Sequence, residues 1–218
     1  MKSIYLSVLS KEINDRFDIG VWADIPIMPE EISYNEKGVK IGDYFTECEF
    51  PRFYFAKVLS RFDQRDINQV KRMGLTKIGS NCTIGEAGFG YVDGPNGERI
   101  EMPHLGNVFI YNNVTIHNNV NIDRAVIGST IIGEGTKIDS LVHIAHGTKI
   151  GKNCLIVAGS IIGGSVVIGD NCYIGMGAKI KNKVKIGKGV TVGAGAVVLK
   201  DIPDFETWVG VPAKKLEK

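Results

Sequence analysis

Residues 132–198 read IGEGTKIDSLVHIAHGTKIGKNCLIVAGSIIGGSVVIGDNCYIGMGAKIKNKVKIGKGVTVGAGAVV. An aliphatic residue returns at every sixth position through Ile132, Ile138, Ile144, Ile150, Ile156, Ile162, Ile168, Ile174, Ile180, Ile186, Val192 and Val198. Four residues after each of the first eleven stands a small or β-branched residue, as at Thr136, Val142, Thr148, Cys154, Ser160 and Val166. A helix, at about 3.6 residues per turn, would scatter such a repeat around its circumference. Simple strand alternation would not set glycine directly after the aliphatic residue at 133, 151, 163, 169, 175, 187 and 193. The period predicts a β-solenoid. Each unit makes one short strand and a turn, three units make a triangular coil of about 18 residues, and coils stack at strand spacing around the aliphatic column.

The same frame runs back through Ile110, Ile116 and Ile122, with Val114, Val120 and Val126 in the small position. A four-residue excess between Ile122 and Ile132 predicts a loop bulging from one corner. Ile78 and Ile84, with Cys82 between them, open the solenoid ahead of an excursion over 86–107. Turn chemistry at Asp93-Gly94-Pro95-Asn96-Gly97 predicts that this excursion is a projecting hairpin. Residues 1–75 lack the repeat. There, Pro51 followed by Phe55, Leu59 and Phe62 at helical spacing predicts a helix that starts at Pro51, inside a small α+β domain. The expected organisation is that domain over 1–75, the β-helix over 76–203, and a tail over 204–218 folded back on the last coil.

The 218 residues are 44% hydrophobic and 23% charged, which excludes a disordered tail protein and a collagen-like one. A net charge of +2 gives no basic field for duplex nucleic acid. Cys48, Cys82, Cys154 and Cys172 form no CxxC pair, and the N-terminus does not read as a signal peptide, so a reducing cytoplasm is the expected location. The most apolar run, 155–169, is interrupted by Ser160, Gly163, Gly164 and Ser165 and falls short of the roughly 20 residues a membrane span needs.

The hexapeptide frame resembles the left-handed β-helix acyltransferases. The run 121–125, NIDRA, and the run 136–146, TKIDSLVHIAH, are similar to the core of the UDP-3-O-acylglucosamine N-acyltransferases of lipid A synthesis. Gly88-Phe-Gly-Tyr91, Met102-Pro-His104 and the helix from Pro51 resemble the same family. Three departures stand out. That family's N-terminal domain is longer, its chain ends in helices that engage acyl carrier protein, and its second functional histidine falls on Lys183 here. The ending GVPAKK over 210–215 instead resembles shorter acetyl-CoA-dependent members that act on nucleotide-linked amino sugars.

The resemblance implies that His146 is the general base. An amine attacking a thioester must lose a proton, and an imidazole accepts one near neutral pH. The alternative is a solvated corner histidine. One coil further on stands Gly164, whose N–H would face the thioester oxygen, or which is simply one turn glycine among many. Asp139 stacks near His117 by coil arithmetic. It orients an imidazole, holds the acceptor amine, or only forms a turn. The resemblance also gives Phe89, Tyr91, Asp123, Arg124 and His143 as substrate contacts. Lys214 and Lys215, with Lys183, are the expected partners of coenzyme A phosphates, although a solvated face is the plain reading of the late lysines. Asn112, Asn113, Asn118 and Asn119 suit tight corners, and Cys154 and Cys172 suit the core.

The leading expectation is an N-acyltransferase moving an acetyl or other short acyl group from acyl-CoA to the amine of a nucleotide-linked amino sugar, a glycan precursor. The alternative is the lipid A reaction with an acyl carrier protein donor. A metal hydratase of the γ-carbonic anhydrase type and a non-catalytic solenoid complete the set; the former needs paired histidines at a spacing that His143 and His146 lack. A homotrimer is expected, with no permanently bound cofactor, no metal, no nucleic acid and no membrane span.

Overall fold

The computed structural model describes residues 4–5, 26–27, 29–41, 44–47, 49–60 and 70–217. Cys48 and Phe62 lie outside them. The chain forms two compact units, one of residues 1–67 with 89–105 and one of 68–88 with 106–218.

The second unit is a three-sided parallel β-helix, because the six-residue period allows only two-residue strands joined by corners. Its first face runs through Val70–Arg72, Asn107–Ile110, Ser129–Ile132, Lys149–Ile150, Val167–Ile168 and Lys185–Ile186. The second begins at Lys77–Ile78 and Thr115–Ile116 and continues through Lys137–Ile138, Leu155–Ile156, Tyr173–Ile174 and Thr191–Val192. The third holds Thr83–Ala87, Asn121–Arg124, His143–Ile144, Ile161–Ile162, Lys179–Ile180 and Val197–Val198. The first strand, Val70–Arg72, pairs with Asn107–Ile110 and so sits ahead of the expected boundary at 76. The aliphatic column is the core: Ile132, Ile144 and Ile162 are all 0% exposed, and each stacks on its counterpart in the next coil. Cys154 and Cys172 are buried in it, as the small position requires.

Each corner turns through one left-handed residue just before the small inward one. Asn113, Asn119, Asn153 and Asn171 take this conformation at little cost, while Leu141, Ser165 and Lys183 adopt it against their side chains. Asn118 does not; its Oδ1 instead accepts the Ser80 N–H at 2.8 Å, tying one coil to the next. After Val198, Ile202 bridges to Ile186, and Thr207–Val209 pairs with Thr191–Val192. Lys214–Lys215 then closes that edge antiparallel.

The four-residue excess folds inward where it begins and turns out to solvent at Gly128. Asp123, Arg124 and Ala125 are each at most 5% exposed, and the Ala125 carbonyl accepts the Gly106 N–H at 2.9 Å. The excursion forms the expected hairpin, Tyr91–Asp93 against Arg99–Glu101. It does not stand alone: it belongs to the first unit, packed with the helix Pro51–Leu59. That helix starts at the proline as predicted and buries Phe53, Phe55, Ala56, Val58 and Leu59. Beside it lies a meander of Ile32–Tyr34, Gly38–Ile41 and Tyr44–Glu47, whose first turn is held by Asn35 Oδ1 accepting the N–H groups of Lys37 and Gly38. No helix among the described residues is long and apolar enough to cross a membrane.

Candidate active site

His146 occupies the corner between the third and first faces, directly after the strand His143–Ile144. The inward-folded segment after Asp123 fills the same corner one coil earlier, and Gly164 fills it one coil later. The expected stacking is present: a Cβ built on Gly164 would lie 2.8 Å from His146 Nε2 and 2.9 Å from Cε1. Glycine at 164 is therefore what leaves room for the Nε2 end of the imidazole at this corner. The Gly164 N–H is donated to Asn182 Oδ1 at 3.2 Å, so that amide already has an acceptor from the coil beyond.

On the third face the acidic and basic groups converge. Asn121 Nδ2 donates to Asp123 Oδ1 at 2.9 Å and lies 3.0 Å from His143 Nδ1. His143 Nε2 is 3.8 Å from Asp123 Oδ2. An amide nitrogen only donates, so its two hydrogens serve the carboxylate and Nδ1, leaving the His143 proton on Nε2, toward Asp123. Burial pushes the Asp123 carboxyl above the usual carboxylate range, opposed by His143, by the Asn121 hydrogen bond and by His146.

Asp139 stands at a different corner, between the second and third faces. Its Oδ1 accepts the Ser140 N–H at 2.7 Å and lies 3.9 Å from His117 Nδ1. The turn reading and the stacking on His117 hold together, whereas within one chain the strand His143–Ile144 separates Asp139 from His146. Arg124 is buried, and its guanidinium donates to the Gly85 carbonyl at 2.9 Å. That bond braces the side chain against the coil below. Asp123 is likewise turned inward rather than presented to solvent.

Phe89 and Tyr91 lie in the first unit, ring centroids 5.0 Å apart, with Phe89 89% exposed. Lys183 is exposed at the same corner as His146, in the coil that carries Asn182. Lys215 Nζ is 2.6 Å from Glu206 Oε1, while Glu206 Oε2 accepts the Trp208 indole N–H at 2.8 Å. Those two bonds hold the Glu206 carboxyl below its ordinary range. Lys214 is exposed. Asn121, Thr130 and Asn182 were not foreseen from the sequence. Asn182 was reachable by adding one coil to Gly164; Asn121 and Thr130 carry no motif. Among the described residues no group of three or more His, Cys, Asp or Glu could hold a metal ion.

The bacterial transferase hexapeptide (six repeats) signature matches residues 129–164 and 165–200, and the hexapeptide repeat of succinyl-transferase matches 147–182. A UDP-3-O-acylglucosamine N-acyltransferase of Caulobacter vibrioides is 58% identical over 141 residues, which is 65% of this chain and 41% of that protein. The enzyme of that name from Campylobacter lari is 51% identical over 86 residues, 39% of this chain and 27% of its own length. The chain thus spans less than half the length of these relatives. Among solved structures, the UDP-N-acetylglucosamine O-acyltransferase of Moraxella catarrhalis superposes with a TM-score of 0.60 at 23% identity, covering 68% of this chain and 56% of its own. Repeat, prism and sequence matches together show a left-handed β-helix that carries bacterial transferase hexapeptide repeats over 129–200 and is similar to the hexapeptide acyltransferases.

Proposed function

We propose that the chain carries the acyl-transfer site of an N-acyltransferase acting on UDP-3-O-acylglucosamine, with His146 as general base. The observation that carries this is the half-buried imidazole lying on the side-chain-free face of Gly164. The relatives' names favour this acceptor over the nucleotide-linked sugars and short acyl-CoA expected first. The matching donor is a thioester on acyl carrier protein.

In this reading the acceptor amine attacks the thioester carbon, and a C–N bond forms as the carbonyl π electrons move to oxygen. His146 Nε2 takes the amine proton. The Gly164 N–H turns from Asn182 to the oxyanion, exchanging one acceptor for another. Collapse breaks the C–S bond, and the imidazolium returns its proton to the leaving thiolate. Lys183, exposed at the same corner, faces the donor's phosphate.

In a homotrimer with three equivalent sites, Asp139 and His117, which lie on another corner, reach this chemistry from a neighbouring chain. Light scattering that finds an active monomer would remove that part of the reading. The central test is His146→Ala assayed with UDP-3-O-acylglucosamine and either acyl-CoA or acyl carrier protein thioester. Turnover is expected to fall about 10²- to 10⁴-fold with thermal stability retained, because the side chain lies outside the core. Full activity in this variant refutes the base; turnover with acyl-CoA alone refutes the carrier-protein donor.

A further inference from the structure

Thr136 and Thr148 occupy the small inward position and donate their hydroxyls forward, to the carbonyls of Gly151 and Gly163, each at 2.9 Å. Thr130 occupies the same kind of position and is 0% exposed, but it bonds the other way. Its hydroxyl donates back to the Asp123 carbonyl at 2.7 Å, and its Oγ1 accepts the N–H of Gly147, the residue after His146, at 2.9 Å. The backbone of Asp123 is thus linked through one hydroxyl to the turn that carries His146. The Asp123 side chain meanwhile grips Asn121, and through it His143.

A carboxylate 7% exposed, whose basic contact among the described residues is His143 Nε2 at 3.8 Å, is a costly group to keep for packing alone. We infer that Asp123 is a positioning residue for the histidine corner: its carboxylate fixes the His143 ring through Asn121 and lends a negative field to His146, while its carbonyl anchors the turn through Thr130. This rests on the reading of His146 as the proton acceptor. The field matters because His146 becomes an imidazolium as the amine is deprotonated, and a nearby anion stabilises that charge more than the neutral ring. Other charged groups on the elements packed around Asp123 are few. They are His143 on one flanking strand, solvent-exposed Glu86 on the other, and adjacent Arg124, which is turned to Gly85. The strands Asn107–Ile110 and Ser129–Ile132 carry none.

The test is Asp123→Asn in the full chain, which keeps shape and loses charge. The turnover number is expected to fall about tenfold or more with little change in the acceptor KM, and the acid limb of the rate–pH profile moves to lower pH. Labelled-histidine NMR should show the His146 titration moving the same way without substrate. A carboxyl raised by burial favours folding while protonated and costs stability once pH rises through its folded value, so this variant should hold or gain Tm at neutral pH. An unmoved His146 titration overturns the proposal. A moved titration with an unmoved rate profile leaves Asp123 in place and removes His146 as the base. Should Asp123→Asn not fold, Asn121→Ala, at a half-buried site, releases the carboxylate and should shift the His146 titration in the same direction by less; no shift overturns the proposal.

Discussion

Gly164→Ala separates the chemistry from the fold. Gly164 does not adopt a positive φ, so the backbone accepts alanine without strain. Among the nearest atoms the new methyl would meet are ring atoms of His146, at 2.8 Å from Nε2, 2.9 Å from Cε1 and 3.3 Å from Cδ2. Ordinary contact needs about 3.5 Å, so the ring must retreat by roughly 0.7 Å. A misplacement of about 1 Å at a reacting group costs up to about a hundredfold, which puts the expected loss at about ten- to a hundredfold in turnover. The melting temperature should stay within about 3 °C. Gly163→Ala is the counter-case. Its Cβ would crowd Asn182 Oδ1, the acceptor of the Gly164 N–H, and lie 2.7 Å from Asn182 N and 2.8 Å from the Ile180 carbonyl, backbone atoms of the next coil that cannot swing aside. It should cost about 1–3 kcal/mol of stability. Steady-state rates beside thermal melts decide the matter: full activity in Gly164→Ala, or loss of activity only in step with loss of stability, refutes the argument.

Ile162→Ala removes a side chain that is 0% exposed within the stacked column and should lower unfolding free energy by about 2–5 kcal/mol, read by urea denaturation. Lys214→Glu should raise the KM for a phosphate-bearing donor without loss of Tm, whereas Lys215→Glu breaks the Glu206 bridge and should loosen the last strand, seen as faster amide exchange at Thr207–Val209. Asn182→Ala frees the Gly164 N–H and, if that amide receives the oxyanion, should leave turnover equal or higher. A large fall would instead make Asn182 a substrate contact.

The aliphatic column was readable because burial acts on every sixth residue alike, from Ile132 to Val198. Adding one coil brought Gly164 onto His146 and Asp139 beside His117, since parallel strands fix which residues stack. The partners of polar groups were not readable in this way. Whether Thr130 donates forward or back depends on a carbonyl that the inserted segment supplies, and repeat arithmetic contains no such group. Lys215 and Glu206 meet through a reversed strand outside the period. Arg124 turns inward because the coil below offers the Gly85 carbonyl, a contact 39 residues away. The hairpin's turn was evident, but its packing with the helix from Pro51 links segments that share no repeat.

The strand around Trp208 caps the second face of the prism. A stack of parallel rungs has no natural last member, since the final rung presents to solvent the same unpaired N–H and C=O groups that every earlier rung offered its successor. Thr207–Val209 takes up those of Thr191–Val192, and Lys214–Lys215 then runs the opposite way, so a further parallel rung finds no matching ladder there. Without Thr207–Lys215 the edge of Thr191–Val192 would be open to pairing with another strand.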